Sequence, residues 1–245
     1  MTIDTAENGL GNNQQTANLY EKIWNQNLYQ GFSKGTQGAR STSFLDAFIA
    51  QVKNLNKKLP KIVELGAGSG DHALRLVSEN FDVTAIESSA TAVRLMQDRL
   101  KNESVRFSVF EKNLFQYVQS LEVAEWDGVY ANAVFHFLTV AERLELYAKL
   151  FQVQHNNGIL AVSFKGIGDA LQKKGKLVED TPAGPVVEGV DLVKRLYVSD
   201  PNPLIDEMRN AGYQFIETIE WSIPNYNIPG ENGVFVGLLA KKSYF

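Results

Sequence analysis

The chain has 245 residues, with 24 Lys and Arg against 28 Asp and Glu for a formal net charge of −4. That length supports one large domain or two small ones around a proper core, and the acidic balance gives no basic footprint for a nucleic-acid backbone or an anionic membrane. Cysteine is absent, which excludes disulfides, thiolate metal sites, iron–sulfur clusters and cysteine nucleophiles together.

Residues 1–16 are mostly Asn, Gln, Gly and Thr with little to bury, which predicts a mobile tail. They lack the regions of a signal peptide, and no apolar run approaches the roughly eighteen residues that span a bilayer, so a cytoplasmic protein is expected. Residues 17–59 read as mostly helical. From Lys61 the pattern alternates. Lys61-Ile-Val-Glu-Leu65 is a β-branched strand ending in glycines, and Ala73, Leu74, Leu76 and Val77 then recur at helical spacing over Asp71 to Asn80. Asp82 to Ile86 is a second strand, and Ser88-Ser89 supplies the cap of a helix carrying Ala92, Val93, Leu95, Met96 and Leu100. Val105 to Phe110, Trp126 to Ala131 and Gly158 to Phe164 read as three more strands, with a helix over Ala141 to Gln152. Asp200 to Ala211 reads as a helix capped by Ser199 and stopped by Gly212, before two last strands, Tyr213 to Trp221 and Gly233 to Lys241.

Alternating strands and helices imply a doubly wound α/β fold, and the final two strands, with no helix between them, imply an antiparallel hairpin at one edge. The expected sheet has seven strands in a single domain spanning residues 17–245. Within it, 17–59 forms a helical cover, 60–164 the core that binds a cofactor, 165–198 an insertion or lid, and 199–245 the closing helix and hairpin. Cover and insertion both flank the C-terminal ends of the strands, where open α/β sheets bind ligands.

The most informative stretch is Ile62-Val-Glu64-Leu-Gly66-Ala67-Gly68-Ser-Gly70-Asp-His72. Glycines after a strand let the backbone turn tightly and approach a ligand, while the next helix presents unpaired N–H groups. The G-x-G-x-G spacing is one residue short of the dinucleotide fingerprint G-x-G-x-x-G, and no Gly-Lys-Ser/Thr of a P-loop follows. Glu64 would repel a phosphate and suits a cofactor bearing positive charge.

Val63-Glu-Leu-Gly-Ala-Gly-Ser-Gly70 resembles the first signature motif of class I S-adenosylmethionine-dependent methyltransferases, and the wider match runs from about Lys61 to Ala240, final hairpin included. The resemblance implies a Rossmann-like methyltransferase fold with S-adenosylmethionine as cofactor. Gly66, Ala67, Gly68 and Gly70 would lie against its amino acid portion, with Glu64 near the ammonium. Glu87, seventeen residues after Gly70, would hold both ribose hydroxyls beside Ser88. Asn113 would accept from the adenine amino group, where family members often carry Asp, and the Leu114 N–H would donate to the ring. Asn132 and Ala133 would border the methionine part.

On the acceptor side, His136 stands close to the expected methyl position, as either a base or a positioning residue. Phe135, Lys165 and Tyr226 are further candidates for the substrate pocket. The cover offers Tyr20 and Arg40 to the cofactor and Trp24 and Phe32 to the acceptor, with Lys34 beside Arg40 as a partner for a carboxylate. His72 reads as a cap neighbour and His155 as a solvated turn residue. No G-x-S-x-G motif and no metal pattern appears, so no metal is expected. Val162-Ser-Phe-Lys165-Gly166 and the Ala-Gly212-Tyr helix end resemble the small bacterial methyltransferases that include the tellurite-resistance and thiopurine-type enzymes. A small molecule with O, N or S is the expected acceptor, with no nucleic-acid or membrane partner. An RNA or protein methyltransferase and a non-catalytic binder of S-adenosylmethionine are the alternatives.

Overall fold

The computed structural model describes residues 42–100, 106–123, 125–224 and 230–243, together with residues 18, 21, 22, 25 and 228. The chain runs α1 (Ser43–Lys53), β1 (Lys61–Leu65), α2 (Asp71–Ser78), β2 (Asp82–Glu87), α3 (Ala90–Leu100), β3 (Phe107–Glu111), α4 (Leu114–Gln119) and β4 (Trp126–Ala131). A 3-10 turn (Phe135–Phe137), α5 (Val140–Val153), β5 (Gln154–Gly166) and α6 (Ala170–Lys173) follow. The remainder is β6 (Lys176–Thr181), β7 (Gly184–Glu188), β8 (Lys194–Val198), α7 (Asn202–Asn210), β9 (Tyr213–Pro224) and β10 (Asn232–Lys242).

Strands β3, β2, β1, β4 and β5 lie side by side and parallel, each returning through a helix. β10 then pairs antiparallel with β5, and β9 with β10, which is the expected edge hairpin. The sheet has ten strands among the described residues instead of seven, because the segment 165–198 is itself a β-meander. β4 leaves the β5 edge after Ala131 pairs with Val162. β5 continues, and β8 takes the vacated edge in parallel at Lys165 and Gly166. The pattern hides this: β6 is exposed along nearly its whole length, so no apolar alternation marks it, and its tight link to β7 at Pro182-Ala183 reads as a loop.

Alternation along the strands sorts the side chains between two cores. Val63, Leu65, Val129, Leu160 and Val162 face α5 and α7. Ile62, Val83, Ala85, Tyr130, Ile159 and Ala161 face α1, α2 and α3. Helix α1 brings Phe44, Leu45, Phe48, Ile49 and Val52 to this second face, and at roughly 1.5–3 kcal/mol per large apolar side chain this burial, not intrinsic propensity, stabilises the helix. Its first turn is capped by Thr42, whose hydroxyl accepts from Leu45 N at 3.1 Å.

Several boundaries differ from expectation. Ser199 does not cap α7: its amide donates to Ala183 O at 2.9 Å, whereas the Asp200 carboxylate accepts from Asn202 N at 2.9 Å. His155 is not simply solvated. It is 37% exposed, and its Nδ1 lies 2.8 Å from Asp127 Oδ1, a buried acid that also takes bonds from Lys57 Nζ and Lys61 N. Those bonds hold the Asp127 carboxyl below its ordinary range despite its burial. This cluster lies at the N-terminal end of β4, away from the ends of the strands where the glycine turn sits.

Candidate active site

Leu65 is paired with Ile86, and the chain turns immediately beyond it. Gly66 N and Ala67 N both donate to Ile86 O, at 2.8 and 3.1 Å, which ties the turn to β2. Gly66 has φ +70°, and a Cβ there would lie 2.5 Å from Val134 Cγ2, so glycine is required both by the backbone and by the chain leaving β4. α2 begins at Asp71 with Gly70 as its cap, a residue that offers no side-chain acceptor and leaves the amides of the first turn without one. From α3, Arg99 braces this loop, donating to Ser69 O at 2.9 Å and to Asp71 Oδ1 at 2.6 Å.

Glu64 lies on β1 in register with Tyr130 of β4, on the α1 and α2 face. It is 2% exposed; Oε1 is 3.7 Å from His72 Nδ1, and Oε2 has no hydrogen-bond partner among the described residues. Burial pushes its carboxyl above the ordinary range, the charges of Asp71 and Glu87 push the same way, and His72 opposes them. A buried carboxylate oxygen without a donor is costly unless a cation arrives, and the N–H groups of an ammonium would answer it.

Glu87 ends β2 with its carboxylate turned back onto the loop. Oε2 accepts from Gly68 N at 2.9 Å, and Oε1 accepts from Ser88 N and Ser89 N, each at 2.8 Å. A carboxylate has about four lone-pair positions, so one on Oε2 is left for a ligand. Ser89 caps α3 through Ala92 N at 3.1 Å, as the Ser-Ser pair predicted. Asn113 caps α4, its side-chain oxygen accepting from Phe115 N at 2.9 Å, and Leu114 is the first residue of that helix.

Past β4 the chain passes through Ala133 in a left-handed conformation, φ +58°, rare for a residue with a Cβ. Ser163 on β5 holds it there: Ala133 N donates to Ser163 Oγ at 2.8 Å, and that hydroxyl donates to Asn132 Oδ1 at 2.9 Å. Phe135 departs from its reading as a pocket wall. Its ring packs in the core beside Tyr147 and Phe164, at centroid distances of 5.4 and 6.2 Å. The next residue, His136, is 1% exposed, with neither ring nitrogen partnered among the described residues. Burial, then the charges of Lys165 and Arg195, push its pKa well below the ordinary value, so the ring is neutral. Lys165, also buried, ends β5 and donates to Asp169 Oδ2 at 2.8 Å. Tyr20, Trp24, Phe32, Lys34, Arg40 and Tyr226 lie outside the described residues. No group of three or more His, Asp and Glu that could hold a metal occurs among the described residues.

Residues 62–158, from within β1 to the middle of β5, match the family model described as a methyltransferase domain. Over that stretch, less than half of its length, the chain is similar to a methyltransferase domain. A putative methyltransferase of Geobacillus sp. (strain WCH70) is 20% identical over 141 residues, 58% of this chain and 52% of that protein. The chain thus spans about half the length of the curated relative it matches. Among solved structures, the domain is similar to the Burkholderia thailandensis 1,6-didemethyltoxoflavin N1-methyltransferase, with a TM-score of 0.63 and 13% identity over 100% of this chain and 99% of that one. A Methanosarcina mazei S-adenosylmethionine-dependent methyltransferase gives a TM-score of 0.57 and 16% identity over 79% and 97% of the two chains. TehB of Haemophilus influenzae gives 0.59 and 15% over 83% and 64%. At these identities the structural likeness is one of fold.

The structure brings Glu64, the glycine turn, Glu87, Asn113 and Asn132-Ala133 to the C-terminal ends of β1 to β4. Two supporting residues escaped the sequence reading. Ser163 lies inside an apolar strand and looks like a tolerated small residue, and Arg99 lies on a helix face with nothing local to pair it with the loop. Only the sheet and the α2–α3 packing reveal their partners.

Proposed function

We propose that this chain transfers a methyl group from S-adenosylmethionine to an O, N or S atom of a small-molecule acceptor. The observation that carries this reading is the unpartnered, buried Glu64 Oε2 beneath the glycine turn, which suits the ammonium of the cofactor's amino acid portion. Gly66 to Gly70 would lie against the same portion, Asn132 and Ala133 beside the methionine chain, and Asn113 and Leu114 beside the adenine. With three of its positions taken by backbone N–H groups, Glu87 would hold one ribose hydroxyl directly where the family pattern suggests two.

When bound, this cofactor supplies a strongly activated methyl carbon, so the chain's residues need mainly to position the acceptor and exclude water. Solved relatives support a small acceptor: the Burkholderia enzyme holds 1,6-didemethyltoxoflavin, and a Haemonchus contortus enzyme holds phosphomonomethylethanolamine. No helix among the described residues is long and apolar enough to cross a membrane.

Calorimetric titration of S-adenosylmethionine tests the core of the reading. Wild type is expected to bind. Glu87→Ala, which removes the ribose contact and frees the loop amides, is expected to bind at least about tenfold more weakly, a loss of about 1.4 kcal/mol. No binding by wild type, or equal affinity in both proteins, would sink the reading.

A further inference from the structure

The acceptor side holds two buried polar groups whose hydrogen-bonding capacity the described residues do not use up. His136 has both ring nitrogens unpartnered. Lys165, 9% exposed, has three N–H donors, of which one goes to Asp169, and its ammonium lies 4.1 Å from the centre of the Phe235 ring. Asp169 is fully buried and anchored from behind, because it also accepts from Leu171 N at 2.9 Å and Val234 N at 3.0 Å. Lys165 is therefore tethered at one donor, with two left to offer.

A second cation stands close by. Lys165 pairs in register with Tyr197 of β8, and Arg195, two residues earlier on that strand, falls on the same face. Two bonds from its guanidinium to Asp191, at 2.9 and 2.5 Å, fix Arg195, and it lies 5.3 Å from the centre of the Phe137 ring. The Phe137 ring is in turn 4.0 Å from the His136 ring. The charges of Lys165 and Arg195 both act on His136 in the direction that keeps its ring neutral.

The geometry points to an acceptor that is bound as an anion, with its charge delocalised onto an oxygen that receives the spare N–H donors of Lys165, as in a phenolate, an enolate or a lactam anion. This rests on the methyl-transfer reading and adds the substrate class. An ammonium acceptor has no lone pair to take the unused N–H donors of Lys165. A neutral amine has a single lone pair, which attack on the methyl carbon uses, so it cannot also accept from Lys165. An acidic O–H or N–H gives its proton to bulk water on binding, so no protein base is needed at the transfer itself.

The test titrates the protein saturated with S-adenosylhomocysteine with three chromophoric acids, 4-nitrophenol, 4-hydroxycoumarin and lumazine, at a pH where each free probe is mostly protonated. Wild type is expected to bind at least one of them with growth of the anion's absorption band and a fall of about one unit in its apparent pKa, a tenfold preference for the anion. Lys165→Met is expected to lose that band and keep its affinity for S-adenosylhomocysteine; Lys165→Arg is expected to retain it. Because Lys165→Met leaves Asp169 buried without its cation, the pair Lys165→Met with Asp169→Asn repeats the measurement with both groups neutral. A probe bound in its protonated form, a band that persists without Lys165, no band with any of the three acids, or tighter binding of benzylamine than of all three overturns the proposal. Failure of wild type to bind S-adenosylhomocysteine would overturn the methyl-transfer reading beneath it.

Discussion

Glu64→Gln keeps the shape of the side chain and removes its charge, and its two expected effects have opposite signs. Burial and the neighbouring acids raise the folded-state pKa above the ordinary 4.5. The folded protein thus holds a proton that the unfolded chain releases, and stability falls as pH rises from about 4.5 through the folded-state value. Above that value the charged carboxylate opposes folding until a cation meets it. Glutamine removes the penalty, so the unliganded variant is expected to melt at or above the wild-type temperature at pH 7, with a flatter dependence of Tm on pH above 4.5. The ligand, in contrast, loses a charge-assisted hydrogen bond. Such a bond contributes about 1.5–3 kcal/mol, which at about 1.4 kcal/mol per factor of ten is roughly 10- to 150-fold in affinity. Calorimetry with S-adenosylhomocysteine and thermal melts across pH measure both effects on the same samples. An unchanged Kd together with a lower Tm would show that Glu64 serves only as a structural partner of His72, and the reasoning would be refuted.

Three substitutions probe the frame around the site. Gly66→Ala places a Cβ 2.5 Å from Val134 Cγ2 at φ +70°, and denaturant unfolding should show a loss of about 2–4 kcal/mol; a loss below 1 kcal/mol would mean the turn relaxes freely. Ala133→Gly relieves the left-handed strain at φ +58° and is expected to stabilise by about 0.5–1 kcal/mol in the same assay, with destabilisation counting against strain at that residue. Arg143→Met strands Glu207, which the buried guanidinium holds through two bonds of 2.7 and 2.6 Å between α5 and α7, and about 3–5 kcal/mol should be lost. Adding Glu207→Gln should recover part of that loss, and no recovery would show that packing rather than charge is at stake.

Much of the fold and the place of the glycine turn within it were legible in the residue order, for reasons that are local. A β-branched run ending in G-x-G-x-G, with an acid two residues before the first glycine and another seventeen after the last, defines strand and turn through spacing, and its resemblance to a family motif implies the cofactor. The alternation of strands and helices from Lys61 to Phe164 and the helix-free final pair likewise encode a parallel sheet with an antiparallel hairpin at its edge, because short connections leave few topologies. Phe135 and His136 show where this ends. Adjacent in sequence and alike in apolar context, one ring packs among core aromatics and the other is buried with both nitrogens unpartnered among the described residues, because a single 3-10 turn rotates successive side chains apart.

The sequence by itself determined the class of fold, the glycine turn and the acids flanking it, since each depends on residues a few positions apart. Only the tertiary structure decided that residues 165–198 extend the sheet, that the Glu87 carboxylate is largely spent on the loop amides, that Ser163 and Arg99 hold the site, and that Lys165 and Arg195 converge near His136. These depend on pairings between residues 19 to 59 positions apart, where burial and register, not neighbouring residue types, choose the partner.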